Sequence, residues 1–179
     1  MLKPILRAVV GRFERRYDYD ASYMHELADI DPAAFLAFSK VQGLSSYRKA
    51  PPEALVAAGL VGTLNEDCGP CTQIVVRMAE EGGMPSAMLK AILTGDEAGM
   101  GPTAALGWRF ARASLARDME AADPLRDEIV RRWGSKALAA ISLALATSRV
   151  YPTVKYAMGH GKMCSKIDVR GEAIAPLAA

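Results

Sequence analysis

The chain is punctuated throughout for helices. Asp31-Pro32, Pro51-Pro52, Met84-Pro85, Gly101-Pro102 and Asp123-Pro124 recur along its 179 residues. Proline suits the first helical turn, where its missing N–H has no partner to lose. Gly43, Gly82-Gly83, Gly95 and Gly134 supply matching stops. Between these marks apolar residues return every three or four positions: Val56, Leu60 and Leu64; Leu106, Phe110 and Ala113; Leu125, Ile129 and Trp133; Leu138, Ile141 and Leu145. No sustained two-residue alternation bounded by hairpin turns competes with them. The pattern predicts an all-α, single-domain helical bundle of about seven or eight helices, with Pro152 kinking or breaking the last one.

One predicted helix is unusually slim. Ala57, Ala58, Gly59 and Gly62 fall between its larger apolar residues and permit close approach by a neighbour. The organisation expected is a helical extension over residues 1–50, a helical core over 51–167, and a mobile tail over 168–179, where periodicity disappears. Half the residues are hydrophobic and the net charge is only +2, so a folded globule is expected and nucleic acid is not. Three cysteines are too few for a disulfide-stapled secreted scaffold and point to a reducing cytoplasm. The first sixteen residues form a basic amphipathic pattern in which Leu2, Leu6, Val9 and Phe13 are flanked by Lys3, Arg7, Arg12, Arg15 and Arg16. Packing of one stripe on the core is expected there rather than membrane contact. The apolar run from Ala137 to Thr147 is too short to span a bilayer and reads as a buried helix.

The chemical signal is Asn65-Glu66-Asp67-Cys68-Gly69-Pro70-Cys71-Thr72. Two cysteines separated by two residues at a helix start can pair with little backbone movement. Free N–H groups and the helix dipole favour a thiolate there. Cys71 lies in register with Ile74 and Met78, on the stripe expected to be buried, whereas Cys68 belongs to the capping turn. Cys68 is therefore expected to be the more accessible, attacking thiol and Cys71 the resolving one. A thioredoxin would carry this motif after a β-strand, and the segment before Cys68 reads as helix.

From the slim helix onward, the order of elements resembles the alkylhydroperoxidase-D-like / carboxymuconolactone decarboxylase-like superfamily. The slim helix is followed by the CxxC turn, a second helix, Gly82-Gly83, a short helix ending at Gly95-Asp96, and the stretch Ala104-Ala105-Leu106-Gly107-Trp108. The resemblance covers roughly residues 52–159. It implies an all-α fold, a peroxidase-like thiol chemistry without organic or flavin cofactor, and a homo-oligomer, dimer or trimer. It also implies a Glu twelve residues before the first cysteine and a His four after the second, which relay protons to the thiol. The corresponding residues here are Val56 and Val75, so that relay is absent. Family usage often makes the second cysteine the peroxidatic one, which leaves the order of attack open.

Glu66 and His160 are the candidate substitutes for the relay, with Arg149 as a candidate stabiliser of a thiolate. The partners expected are a thiol reductant or a small oxidised substrate. Two other readings compete. His160 and Cys164, with Cys68 and Cys71, make up a Cys₃His set of the right softness for zinc. The cysteines of a non-catalytic helical scaffold could instead be purely structural. His25 and Glu26 read as a solvated surface pair, and the methionines as core filler.

Overall fold

The computed structural model describes residues 2–161 and 167–177. The chain folds around α5 (Pro52–Asn65), the slim helix, which lies between α8 (Glu97–Ala116) and α10 (Ser135–Ala157). Small residues bring these backbones together. A Cβ on Gly107 of α8 would lie 2.6 Å from the Ala54 carbonyl oxygen of α5, and one on Gly62 would lie 3.1 Å from the Leu145 carbonyl oxygen of α10. The first distance is too short for a methyl group and the second is tighter than an ordinary contact, so glycine sets how closely the three helices pack.

α6 (Gly69–Glu81) and α7 (Ser86–Thr94) follow α5, and α9 (Met119–Trp133) packs on α8 and α10. Together they enclose a core dominated by Leu60, Leu89, Ile92, Met100, Ile129 and Ile141. Gly95, at φ 75°, ends α7 in the left-handed conformation that glycine adopts at no steric cost. Gly101, at φ 75°, breaks α8 just before Pro102, as the dipeptide predicts.

Residues 2–50 build a second core. α1 (Leu2–Tyr17), α2 (Ser22–Ile30), α3 (Pro32–Ser39) and the short α4 (Val41–Ser45) follow one another. Leu6, Val10, Tyr17, Tyr19, Tyr23 and Phe35 are buried among them, with Ile74 of α6 and Val154 and Met158 from the end of α10 packed against this cluster. Asp31 caps α3 by accepting the Ala33 N–H at 2.8 Å. The all-α, single-domain expectation holds for the bulk of the described chain, with ten helices rather than seven or eight, because the extension alone contributes four.

Three expectations need correction. α9 begins at Met119, where the Asp118 carboxylate accepts the Ala121 N–H at 3.1 Å, so Pro124 lies inside the helix rather than at its start. α10 continues through the buried Pro152 to Ala157. It is thereby long and apolar enough to cross a membrane by length and composition, although Ala137, Ala140, Ile141 and Leu145 are buried in the fold.

The third correction concerns the stretch expected to be a mobile tail. Residues 167–174 form an antiparallel hairpin, β1 (Ile167–Val169) and β2 (Glu172–Ile174). Arg170 and Gly171 make its two-residue turn, both at positive φ, as a turn that matches strand twist requires. Ile167 and Val169 are buried, the Leu177 N–H reaches the Leu93 carbonyl at 2.8 Å, and Lys90 pairs with Glu172. Strands of three residues are too short to display a period.

Candidate redox site

The site begins where α5 ends. Glu66 follows the last helical residue, and Asp67 takes the left-handed conformation at φ 49°. The Asp67 and Cys68 N–H groups return to the Leu64 and Thr63 carbonyls at 2.9 and 3.3 Å. This closes the helix in the manner usually left to glycine, and Asp tolerates it better than most residues. One residue later Cys68 caps α6, its sulfur accepting the Cys71 N–H at 3.3 Å. Reversing direction within two residues places both cysteines on the first turn of α6.

Cys68 and Cys71 are joined as a disulfide, with their Cα atoms 5.2 Å apart. The accessibility difference expected between them is not present: Cys68 is 2% exposed and Cys71 6%. A capping side chain points back over its own helix, so the turn position is enclosed as fully as the stripe position. What does separate them is the cavity beside the turn, of ≈ 580 Å³. Cys68 lines it with Leu64, Thr72, Ile167, Ile174 and Pro176, and Cys71 does not. The hairpin forms one wall of this cavity, so residues that sequence reasoning set aside as tail belong to the site.

Polar contacts hold the turn from three sides. The Thr72 hydroxyl lies 3.0 Å from the Cys68 carbonyl oxygen and 3.1 Å from the Thr63 hydroxyl, all buried. From α10, the Tyr156 hydroxyl donates to the Asp67 carbonyl at 2.7 Å. The Gln73 amide clamps β1: its Nε2 donates to the Asp168 carbonyl at 2.9 Å, and its Oε1 accepts the Asp168 N–H at 2.6 Å. Sequence reasoning missed Thr63, Thr72, Gln73 and Tyr156. Only the position of Thr72 and Gln73 directly after Cys71 hinted at two of them.

The residues proposed to replace the relay fare differently. Glu66 closes α5 two residues before Cys68, and its carboxylate is taken by the Arg149 guanidinium at 2.5 Å. Two candidates for thiol chemistry thus engage each other, and the pair ties the end of α5 to α10. His160 is engaged elsewhere. Its Nε2 lies 2.6 Å from Glu26 of α2, and its ring packs near Tyr23 in the second core. The chain turns away after α10 and carries His160 toward α2. His25 pairs with Glu14 at 2.9 Å rather than standing solvated beside Glu26.

Of the zinc set, Cys164 lies outside the described residues. Cys68 and Cys71 are consumed by their disulfide, and the described residues hold no cluster of three or more ligating side chains. Val56 and Val75 are partly buried against the core, Val75 meeting the open side of Gly59. The two positions at which the resemblance implies a relay are thus filled by packing. Comparison of the chain with protein-family models, curated proteins and solved structures finds no match to any of them.

Proposed function

We propose that the protein is a thiol–disulfide redox protein in which Cys68 and Cys71 cycle between dithiol and disulfide, a divergent relative of the alkylhydroperoxidase-D-like proteins that has lost their proton relay. The observation that carries this reading is the placement of Cys68. It caps a helix N-terminus, with the Cys71 N–H aimed at its sulfur, on the wall of a cavity. An N–H donor and the helix dipole stabilise a thiolate at that atom.

In the reducing half-cycle an incoming thiolate attacks the Cys68 sulfur from the cavity. The bond to Cys71 breaks, and Cys71 leaves as a thiolate that takes up a proton. A second thiol then displaces the first as a disulfide, leaving both cysteines reduced. In the oxidising half-cycle Cys68 attacks an oxidised partner and Cys71 resolves the adduct. Glu66 and Arg149 act here as positioning residues for the turn. The oligomer and cytoplasmic setting implied by the resemblance and the cysteine count belong to the same proposal.

Burial of both sulfurs favours a second reading, a structural disulfide in a non-catalytic helical scaffold. Intact mass and differential alkylation separate the two. For a redox pair, mild dithiol adds two hydrogens to the folded protein, both thiols then alkylate, and mild peroxide removes the hydrogens again. Cys68→Ser and Cys71→Ser each abolish the cycle. If the pair resists reduction until the protein is unfolded, the disulfide is structural.

A further inference from the structure

The surface of α1 has an unexplained side. Leu6, Val10 and Tyr17 face the second core, which accounts for one apolar stripe. Leu2, Ile5 and Val9 form another along the outside, 42, 61 and 58% exposed. They stand at i, i+3 and i+7, and the same line continues through Arg12 and Arg16. Packing on the core gives no reason for a water-facing helix surface to carry three large aliphatic side chains in register.

Charge indicates what covers it. α1 holds Lys3, Arg7, Arg12, Arg15 and Arg16 against Glu14 alone, whereas the whole chain is net +2. The rest of the protein is therefore net acidic, and the positive charge is concentrated on this helix. Arg7 pairs with Asp29 and Arg16 with Glu81 at 3.0 Å. Arg12 and Arg15 have no ion-pair partner among the described residues. A second copy docking on the same face would bring like charges together. A bilayer with anionic headgroups offers both complements at once: acyl chains for the aliphatic side chains and, just above them, phosphates within reach of the arginines.

We infer that α1 is a docking face for an anionic membrane surface, with Leu2, Ile5 and Val9 inserted below the headgroups and Arg12 and Arg15 against them. This inference is independent of the redox reading. Because α1 also buries a stripe in the second core, the protein would bind as a folded unit rather than by releasing the helix.

The test is flotation of the full chain with vesicles of phosphatidylcholine alone and of equimolar phosphatidylcholine and phosphatidylserine. The wild type is expected to float only with the mixed vesicles and to be released by salt. Ile5→Ser with Val9→Ser should lower the partition coefficient about tenfold or more, since two exposed side chains lose their apolar burial. Arg12→Glu with Arg15→Glu should lower it by more than about fivefold per residue. Lys136→Glu, on exposed surface at the start of α10, should change nothing. Circular dichroism melts confirm that each variant folds. Absence of the wild type from mixed vesicles at low salt overturns the inference, as does equal flotation of the stripe variants. Sedimentation showing a wild-type dimer that Ile5→Ser/Val9→Ser dissociates also overturns it, assigning the stripe to a second copy.

Discussion

The two cores of this molecule solve the packing problem in opposite ways. Around α5 the solution is subtraction. Ala54, Ala57, Ala58, Gly62 and Gly107 remove side chains until backbones nearly touch, and Leu60, Leu89, Ile92 and Ile141 fill what remains. Under α1 to α3 the solution is addition: Tyr17, Tyr19, Tyr23, Phe13, Phe35 and Phe38 fill the space with rings, several meeting edge-on or tilted. The first core, aliphatic but for Trp108 and Phe110 with Trp133 packed against it, has little polar chemistry to satisfy. The aromatic one must house hydroxyls, and it does so unevenly. The Tyr23 hydroxyl is enclosed without a hydrogen bond of good geometry among the described residues, although the Tyr19 hydroxyl approaches it. Lys155, 2% exposed, lies over the Tyr19 ring at 5.3 Å. α6 is shared by both, its Val76 in one core and its Ile74 against the other, so the cysteine helix is held between two kinds of interior.

The largest effect expected from breaking this contrast is in the aliphatic core. Leu60→Ala should cost about 2–5 kcal/mol in urea unfolding, because fully enclosed backbone-lined space collapses poorly. Gly107→Ala should cost about 1–3 kcal/mol by overpacking, since the new methyl meets α5 backbone, which cannot rotate away. If Gly107→Ala were neutral, α5 and α8 would be less tightly docked than their geometry indicates.

The aromatic core should fail instead on the alkaline side. Burial pushes the Tyr19 hydroxyl up to about 12 and raises Tyr23 and Tyr151 as well, again by desolvation first. Tyrosines that keep their protons when folded but lose them near 10 when unfolded favour the folded state fully below pH 10. That contribution falls away as pH rises from about 10 through about 12. Lys155 works the other way: desolvation lowers its pKa, so its deprotonation in the folded state lends stability as pH climbs toward 10.5. Tyrosinate absorbance followed with circular dichroism should show the tyrosines near α1 ionising together as structure is lost. Independent titration at ordinary values would mean this core is solvated.

The smallest effect sharpens the same point. Tyr23→Phe removes a hydroxyl that lacks a good partner and should stabilise the protein by about 1 kcal/mol. A loss of comparable size would show that Tyr19 satisfies it.

What could be read in the sequence follows the range of the forces involved. The CxxC turn was legible because its determinants are neighbours: helix-ending residues, Gly69-Pro70, and a cysteine able to cap. The slim α5 was legible because small residues have few other reasons to cluster at helical spacing. The start of α9 is ambiguous in the sequence because Asp118 and Asp123 are both plausible caps, and only the former meets an N–H three residues on. The cavity wall was not legible at all. Ile167 and Val169 flank a single outward residue, and Arg170-Gly171 is a turn signal only in its glycine. Glu66 lies two residues before Cys68, but nothing local announces that Arg149, 83 residues away, claims its carboxylate.

The Gln73 clamp on Asp168 joins positions 95 residues apart, and this separation has a consequence for how the protein is made. The local hydrogen bonds of the cysteine turn lie within α5 and α6, whereas Arg149, Tyr156 and the hairpin that brace it come much later in the chain. Until residues 167–177 are in place, one wall of the cavity beside Cys68 is therefore missing. Long-range contacts of this kind are the slowest to form. The pair's chemistry in the newborn chain should consequently be less selective than in the finished one, and the timing of oxidation relative to closure decides whether the disulfide is made inside the cavity or before the cavity exists.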